Sequence, residues 1–190
     1  SPEGPFLPFE SKLPHTPMGQ MCLDGTLWVE NGTPYMIYCH EWVEMMDGTM
    51  ELVELKPDLS GTVGQPIRLF CASAAEWSTG SLREDGTRTY VTDGCFLYRT
   101  QTGKLLMIWS SFKNGEYAIG IAESMTGKVF GPWKQQKEPL FDKHGGHGMI
   151  FKTFDGRLCV VLHAPNSPGG AERAHIFEIE DLGHTLKLKK

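Results

Sequence analysis

Long apolar runs are missing from this sequence. None approaches the roughly 18 residues that a membrane-spanning helix needs. Apolar residues at helical spacing are equally hard to find, which removes an α-rich core from consideration. There is no basic excess either. The 23 acidic and 18 basic residues leave a net charge of -5, without the footprint of a nucleic-acid or anionic-membrane binder. Cys22, Cys39, Cys71, Cys95 and Cys159 lack CxxC spacing and mostly sit inside apolar runs. Odd in number, they read as buried thiols rather than as a disulfide frame or a zinc site. The chain opens "SPEGPF", without a start methionine, a basic segment or an apolar signal core. We therefore expect a piece of a longer protein with any targeting segment out of view, and localisation stays unknown.

What the sequence does have is a repeat. Three glycines, Gly32, Gly103 and Gly156, are followed by "GTPYMIYCH", "GKLLMIWSS" and "GRLCVVLHA", which align without a gap. Before them stand "DGTLWVEN", "DGCFLYRT" and "HGMIFKTF". Each pair is two short runs of β-branched, aromatic and aliphatic residues around a glycine turn, the pattern of a β-hairpin. The "NGT" sequon at Asn31 falls on such a turn and reads as turn chemistry rather than as glycosylation. A third, alternating run follows each hairpin at 49–57, 117–124 and 174–181, and a fourth at 65–70, at 132–141 and, weakly, at the C-terminus. Four antiparallel strands recurring at this spacing predict an all-β fold, a β-propeller of four-stranded blades. The expected blades are 22–71, 90–141 and 145–190. Residues 1–17 are expected to supply the outer strand of a preceding blade, because "SPEGPF" mirrors "SMTGKVFGPW" at Ser124. About three blades are then present, short of the four to eight that close a propeller ring, and the missing N-terminal blades become a partner that this chain needs.

Innermost propeller strands line the central channel, so the residues heading them matter most. Asp24, Asp93 and His147 occupy that place. Carboxyls converging on a partly dry pocket raise one another's pKa, and a pair of them is what glycosidic hydrolysis requires. At the inner ends of the second strands lie His40, Ser111 and His163, with Trp42 following the first. These, with Trp77 in the polar segment 73–90, are the expected sugar contacts, since aromatic faces stack on sugar C–H surfaces. That segment is expected to overhang the funnel, whereas Trp28, Trp109 and Trp133 are expected to pack between blades.

The blocks "MCLDGTLWVENGTPYMIYCHEW", "VTDGCFLYRTQTGKLLMIWSS" and "GGHGMIFKTFDGRLCVVLHAPN" closely resemble the catalytic domain of glycoside hydrolase family 43. The resemblance implies a five-bladed propeller and inversion at the anomeric carbon of arabinose- or xylose-containing plant polysaccharides. It implies three acidic residues. Asp24 matches the one that tunes and orients the acid. Asp93 stands where the acid is usually Glu, one methylene longer, and Glu76 is a weaker candidate for that task. The base belongs to a first blade that this sequence does not include, so the chain alone is expected to be inactive. Arg173 matches an arginine that reaches a sugar hydroxyl or braces the acid, with a surface arginine as the alternative. His147 matches a channel histidine, for which a calcium ion nearby and a hydrogen-bonded structural role both stay open. No cofactor is required. A non-catalytic carbohydrate-binding propeller is the alternative function. Polymeric substrates slightly favour a periplasmic or secreted protein, while free cysteines point mildly the other way.

Overall fold

The computed structural model describes residues 3–189. Its first sheet runs β1 (Cys22–Glu30), β2 (Thr33–His40), β3 (Thr49–Leu55) and β4 (Thr62–Cys71), with a one-turn helix α1 (Trp42–Met45) between β2 and β3. A small hairpin, β5 (Ser81–Leu82) and β6 (Arg88–Thr89), precedes the second sheet. That sheet is β7 (Asp93–Arg99), β8 (Leu105–Lys113), β9 (Glu116–Ser124) and β10 (Trp133–Gln135). The third is β11 (Gly146–Lys152), β12 (Leu158–Ala164), β13 (Arg173–Asp181) and β14 (Leu186–Leu188). In each sheet every strand lies antiparallel beside its chain neighbour, and β7 touches both β1 and β11. The chain is all-β, with blades of a β-propeller arranged about their first strands.

Local chemistry explains the hairpins. Asn31 and Gly32 both take positive φ, 53° and 83°, in the two-residue turn that joins β1 to β2. This is the Asn-Gly turn whose twist matches that of the strands it connects.

Period-two alternation explains the packing. In β8, Leu105, Met107 and Trp109 point into the cluster shared with the first blade, whereas Leu106 and Ile108 point into the cluster shared with the third. A strand buried on both faces reads as an unbroken apolar run, as "LLMIW" does. Trp109 is fully buried, and Trp28 and Trp133 pack against the same cluster, as expected between blades. No disulfide forms, and Cys39, Cys95 and Cys159 are buried thiols.

Two expectations are corrected. Residues 3–17 form no strand; residues 1 and 2 lie outside the described residues, as does residue 190. A strand needs a ladder partner; residues 5–14 are exposed, and only the end of the segment meets the first blade, where the His15 ring lies 2.7 Å from the Leu59 carbonyl. The segment 73–90 is also less of an overhang than its polarity suggested. Trp77, Ser78 and Thr89 are buried, and the Thr79 amide donates to the Phe112 carbonyl at 3.0 Å, fastening the segment to the second blade.

Candidate active site

Each blade's first strand begins with a bulge at the same place. Pairing is regular at Leu23–Cys39, Asp93–Ser110 and Gly146–His163, then breaks for two residues before resuming at Thr26, Phe96 and Met149. The first bulged residues are Asp24, Gly94 and His147, with φ of 58°, 53° and 53°. All three line one cavity of about 120 Å³. The heads do converge on a common hollow, but the expected equivalence is off by one at the second blade. Gly94, not Asp93, is the counterpart of Asp24 and His147.

That shift has a steric reason. A Cβ at Gly94 would lie 2.9 Å from the backbone and ring of His147, so only glycine allows the strand heads to approach this closely. The amide of Gly94 donates to Asp24 Oδ2 at 3.0 Å, and the amide of His147 donates to Ser110 Oγ at 2.8 Å. The Cys95 thiol lies 3.4 Å from the carbonyls of Asp24 and Ile37. Hydrogen bonds between blades thus lock the mouth where the bulges remove ladder bonds.

Asp93 sits one residue earlier and reaches elsewhere. The buried Tyr117 hydroxyl donates to Asp93 Oδ2 at 2.8 Å, and the Tyr117 ring stacks on His163, centroids 5.5 Å apart. Burial pushes the Asp93 carboxyl above its usual range. The Tyr117 hydrogen bond opposes this, the Asp24 charge adds to it, and His147 and His163 oppose it. Burial and the Asp93 charge raise the Tyr117 phenol strongly, so the phenol remains a donor. The chemistry available is that of a partly desolvated carboxyl beside a second carboxylate, with Asp24 also 3.7 Å from His147 Nε2.

The remaining candidates divide sharply. His163 belongs to the site, held by Asn166 Oδ1 at 2.9 Å. Trp42 opens α1, where Arg83 stacks on its ring at 5.5 Å. Three expected sugar contacts are corrected. His40 is 4% exposed and clasped by Glu44 at 3.0 Å and Glu51 at 3.2 Å, on the blade face that points away from the second blade. Ser111 is fully buried, bonded to Ser78 at 2.9 Å. Trp77 is 4% exposed, packed on Trp109 with centroids 4.9 Å apart and lying over Gly120. Arg173 is exposed and donates only to the carbonyls of Gly170 and Glu172, the surface alternative. Glu76 lines a groove of about 690 Å³ on the outer edge of the second blade, with Trp133 and His184. That groove is larger than the axial cavity but holds none of the strand heads, so Glu76 is removed from the acid's position. Tyr117 was missed, and Ser110, beside Ser111 at the same strand end, is the serine that reaches the site, accepting from the His147 amide at 2.8 Å.

The calcium expectation can be tested on the donors. Among the described residues no group of three or more His, Cys, Asp or Glu side chains could hold a metal ion. Beside His147 there is one carboxylate, whereas calcium takes six to eight oxygens. The residues present do not fit a calcium site, and no step is derived through one.

The model of glycosyl hydrolases family 43 matches residues 1–180. The chain belongs to this family. Among solved structures it is similar to an endo-arabinase from Bacteroides thetaiotaomicron, with 46% identity and a TM-score of 0.86, over 95% of this chain and 63% of that one. It is also similar to an endo-1,4-beta-xylanase from the same organism, at 21% identity and TM-score 0.79, over 100% and 65% of the two chains. An alpha-L-arabinofuranosidase from Lactobacillus brevis follows at 16% identity and TM-score 0.67, over 92% and 59%. The last two likenesses carry the fold alone. This family 43 chain spans less than two thirds of the length of each of these structures. No curated protein matches it. Among the described residues no helix is long and apolar enough to cross a membrane.

Proposed function

We propose that this family 43 chain is the acid-bearing part of an inverting glycoside hydrolase acting on arabinose- or xylose-containing polysaccharides or oligosaccharides. Asp93 is the general acid that protonates the leaving-group oxygen. Asp24 orients the acid's strand head and biases its protonation, and the base lies outside these 190 residues. The observation carrying this reading is the half-buried Asp93 carboxyl, raised by burial and by the Asp24 charge while the Tyr117 hydroxyl fixes its rotamer. A general acid needs its proton at working pH, and burial beside a second carboxylate shifts Asp93 in that direction. The 46% identity to an endo-arabinase tilts the substrate toward arabinan. Inversion requires a second carboxyl about 6.5–9.5 Å from the acid with water between. Asp24 Oδ2 accepts from the Gly94 amide and Oδ1 lies 3.7 Å from His147 Nε2, an arrangement that suits an orienting carboxylate.

The 190-residue chain is expected to show no turnover of aryl arabinofuranosides or xylosides. The complete protein should turn one of them over, with Asp93→Asn lowering kcat by roughly 10²–10⁴-fold, the usual contribution of a general acid. Turnover by the short chain would assign the base to a residue within it. The shorter Asp93 in the acid's place favours one other reading, a sugar-binding propeller. Affinity for arabino- or xylo-oligosaccharides without turnover in the complete protein would select it.

A further inference from the structure

The imidazole of His163 lies nearly flat on the phenol of Tyr117, with the planes 20° apart and the centroids 5.5 Å apart. Tyr117 belongs to β9 of the second blade and His163 to β12 of the third, so this contact crosses between blades. Glycine makes it possible. Gly146 pairs with His163 across the β11–β12 ladder, and a Cβ there would run into the Tyr117 ring, 2.6 Å from Cδ1. The phenol therefore lies against glycine backbone beside the imidazole. Phe112, its ladder partner, packs on it with centroids 5.2 Å apart, and the Gly145 amide donates to the Tyr117 carbonyl at 2.9 Å. The imidazole is held in turn. An amide oxygen only accepts, so His163 Nε2 carries a proton and donates to Asn166 Oδ1 at 2.9 Å. The Asn166 backbone amide donates to the His144 carbonyl at 2.9 Å, which fixes the loop that supplies this acceptor. At the far end of these supports the Tyr117 hydroxyl meets Asp93 Oδ2 at 2.8 Å.

We propose that His163 is a positioning residue for the candidate acid: by its stack on Tyr117, the third blade holds the phenol hydroxyl on the Asp93 carboxyl. This rests on the reading of Asp93 as the acid. A phenol that slides from its place loses the hydrogen bond that favours the carboxylate, and Asp93 then keeps its proton to higher pH. The flat face of His163 carries this effect. Its charge is a separate influence, because an imidazolium would act on Asp93 whether or not the phenol stood between them. The other titratable groups that act on Asp93 are Asp24 from β1 and His147 from β11. His144 and Glu116, on the loop side, pair with each other at 2.8 Å.

The test is a pH titration of the Asp93 side-chain carboxyl carbon in the 190-residue chain, which needs no turnover. His163→Phe and His163→Ala both remove the charge, and only the first keeps a flat ring. The Asp93 midpoint should lie higher in His163→Ala than in His163→Phe by about one pH unit, the size of a lost hydrogen bond to a charged group. Repeated in a Tyr117→Phe background, the difference should vanish, since no hydroxyl is left to position. Equal midpoints in the parent background, or a difference that survives Tyr117→Phe, would overturn the proposal. Should His163→Ala fail to fold, Asn166→Ala decides: it frees the imidazole and should raise the Asp93 midpoint, and an unmoved midpoint counts against the proposal. In the complete protein His163→Ala should lower kcat more than His163→Phe does, with KM unchanged in both. A rise in KM alone would make His163 a sugar contact rather than a support. A complete protein without any turnover would overturn the glycosidase reading while leaving the measured coupling in place.

Discussion

Two strand heads of this chain begin with the same dipeptide and use it differently. At Asp24-Gly25 the aspartate itself occupies the left-handed bulge position, and its carboxylate turns to the neighbouring blade's Gly94 amide. At Asp93-Gly94 the glycine occupies that position, so the aspartate precedes the bulge and reaches the Tyr117 hydroxyl. Side chains alternate along a strand, and a shift of one residue changes which surface a group faces. One carboxylate therefore becomes a clasp between blades and the other a half-buried, raised carboxyl. Identical letters acquired different chemistry from register alone.

Disturbing the bulge should have the largest effect. Gly94→Ala puts a methyl 2.9 Å from His147 in a left-handed conformation. It should lose about 2–4 kcal/mol, from backbone strain and overpacking together, read as a lowered urea midpoint with an unchanged slope. Alanine at Gly25, which has negative φ and the side chain of Met36 as its nearest contact, should cost less; equal losses would mean that the two heads do not differ.

Removing the clasp comes next. Asp24→Ala leaves the Gly94 amide without its acceptor and should cost roughly 1–3 kcal/mol in the same unfolding experiment. Tyr117→Phe sharpens the other half of the comparison. The phenol stabilises the charged form of Asp93, so its removal should raise the Asp93 midpoint in a carboxyl titration.

The smallest effect is in the pH dependence of stability. The folded Asp93 carboxyl holds its proton above the ordinary range, and the unfolded one does not. Between the unfolded and folded values the native state binds more protons, so stability falls as pH rises through that window. Asp93→Asn should flatten this fall and leave the protein more stable at neutral pH than the parent. A steeper fall in Asp93→Asn would show that the carboxyl is stabilised as its anion instead.

Much of the architecture was legible because hairpins and blades are local. The Gly turns, the Asn31-Gly32 sequon and the two-sided apolar run 105–109 each declare themselves through backbone propensity and period-two patterning. Of the site, the convergence of the strand heads at Asp24 and His147 on one hollow was also legible, since repetition about an axis implies it; that Gly94 and not Asp93 completes the trio was not. The errors came where alternation was not followed to the end of the strand. Ser111 and His40 stand at the expected strand ends but face away from the hollow, whereas Ser110 accepts from the His147 amide of the neighbouring strand head. Trp77 looked like loop sequence, and its partner Gly120 lies 43 residues away, a pairing that no local pattern announces.

By itself the sequence determined the hairpins, their repetition and the kinds of ionisable groups at the strand heads, because these follow from short-range sterics and apolar periodicity. Only the tertiary structure decided which carboxyl clasps the Gly94 amide and which meets the Tyr117 hydroxyl. That outcome depends on how closely β7 and β11 approach at Gly94, a distance set by packing between blades.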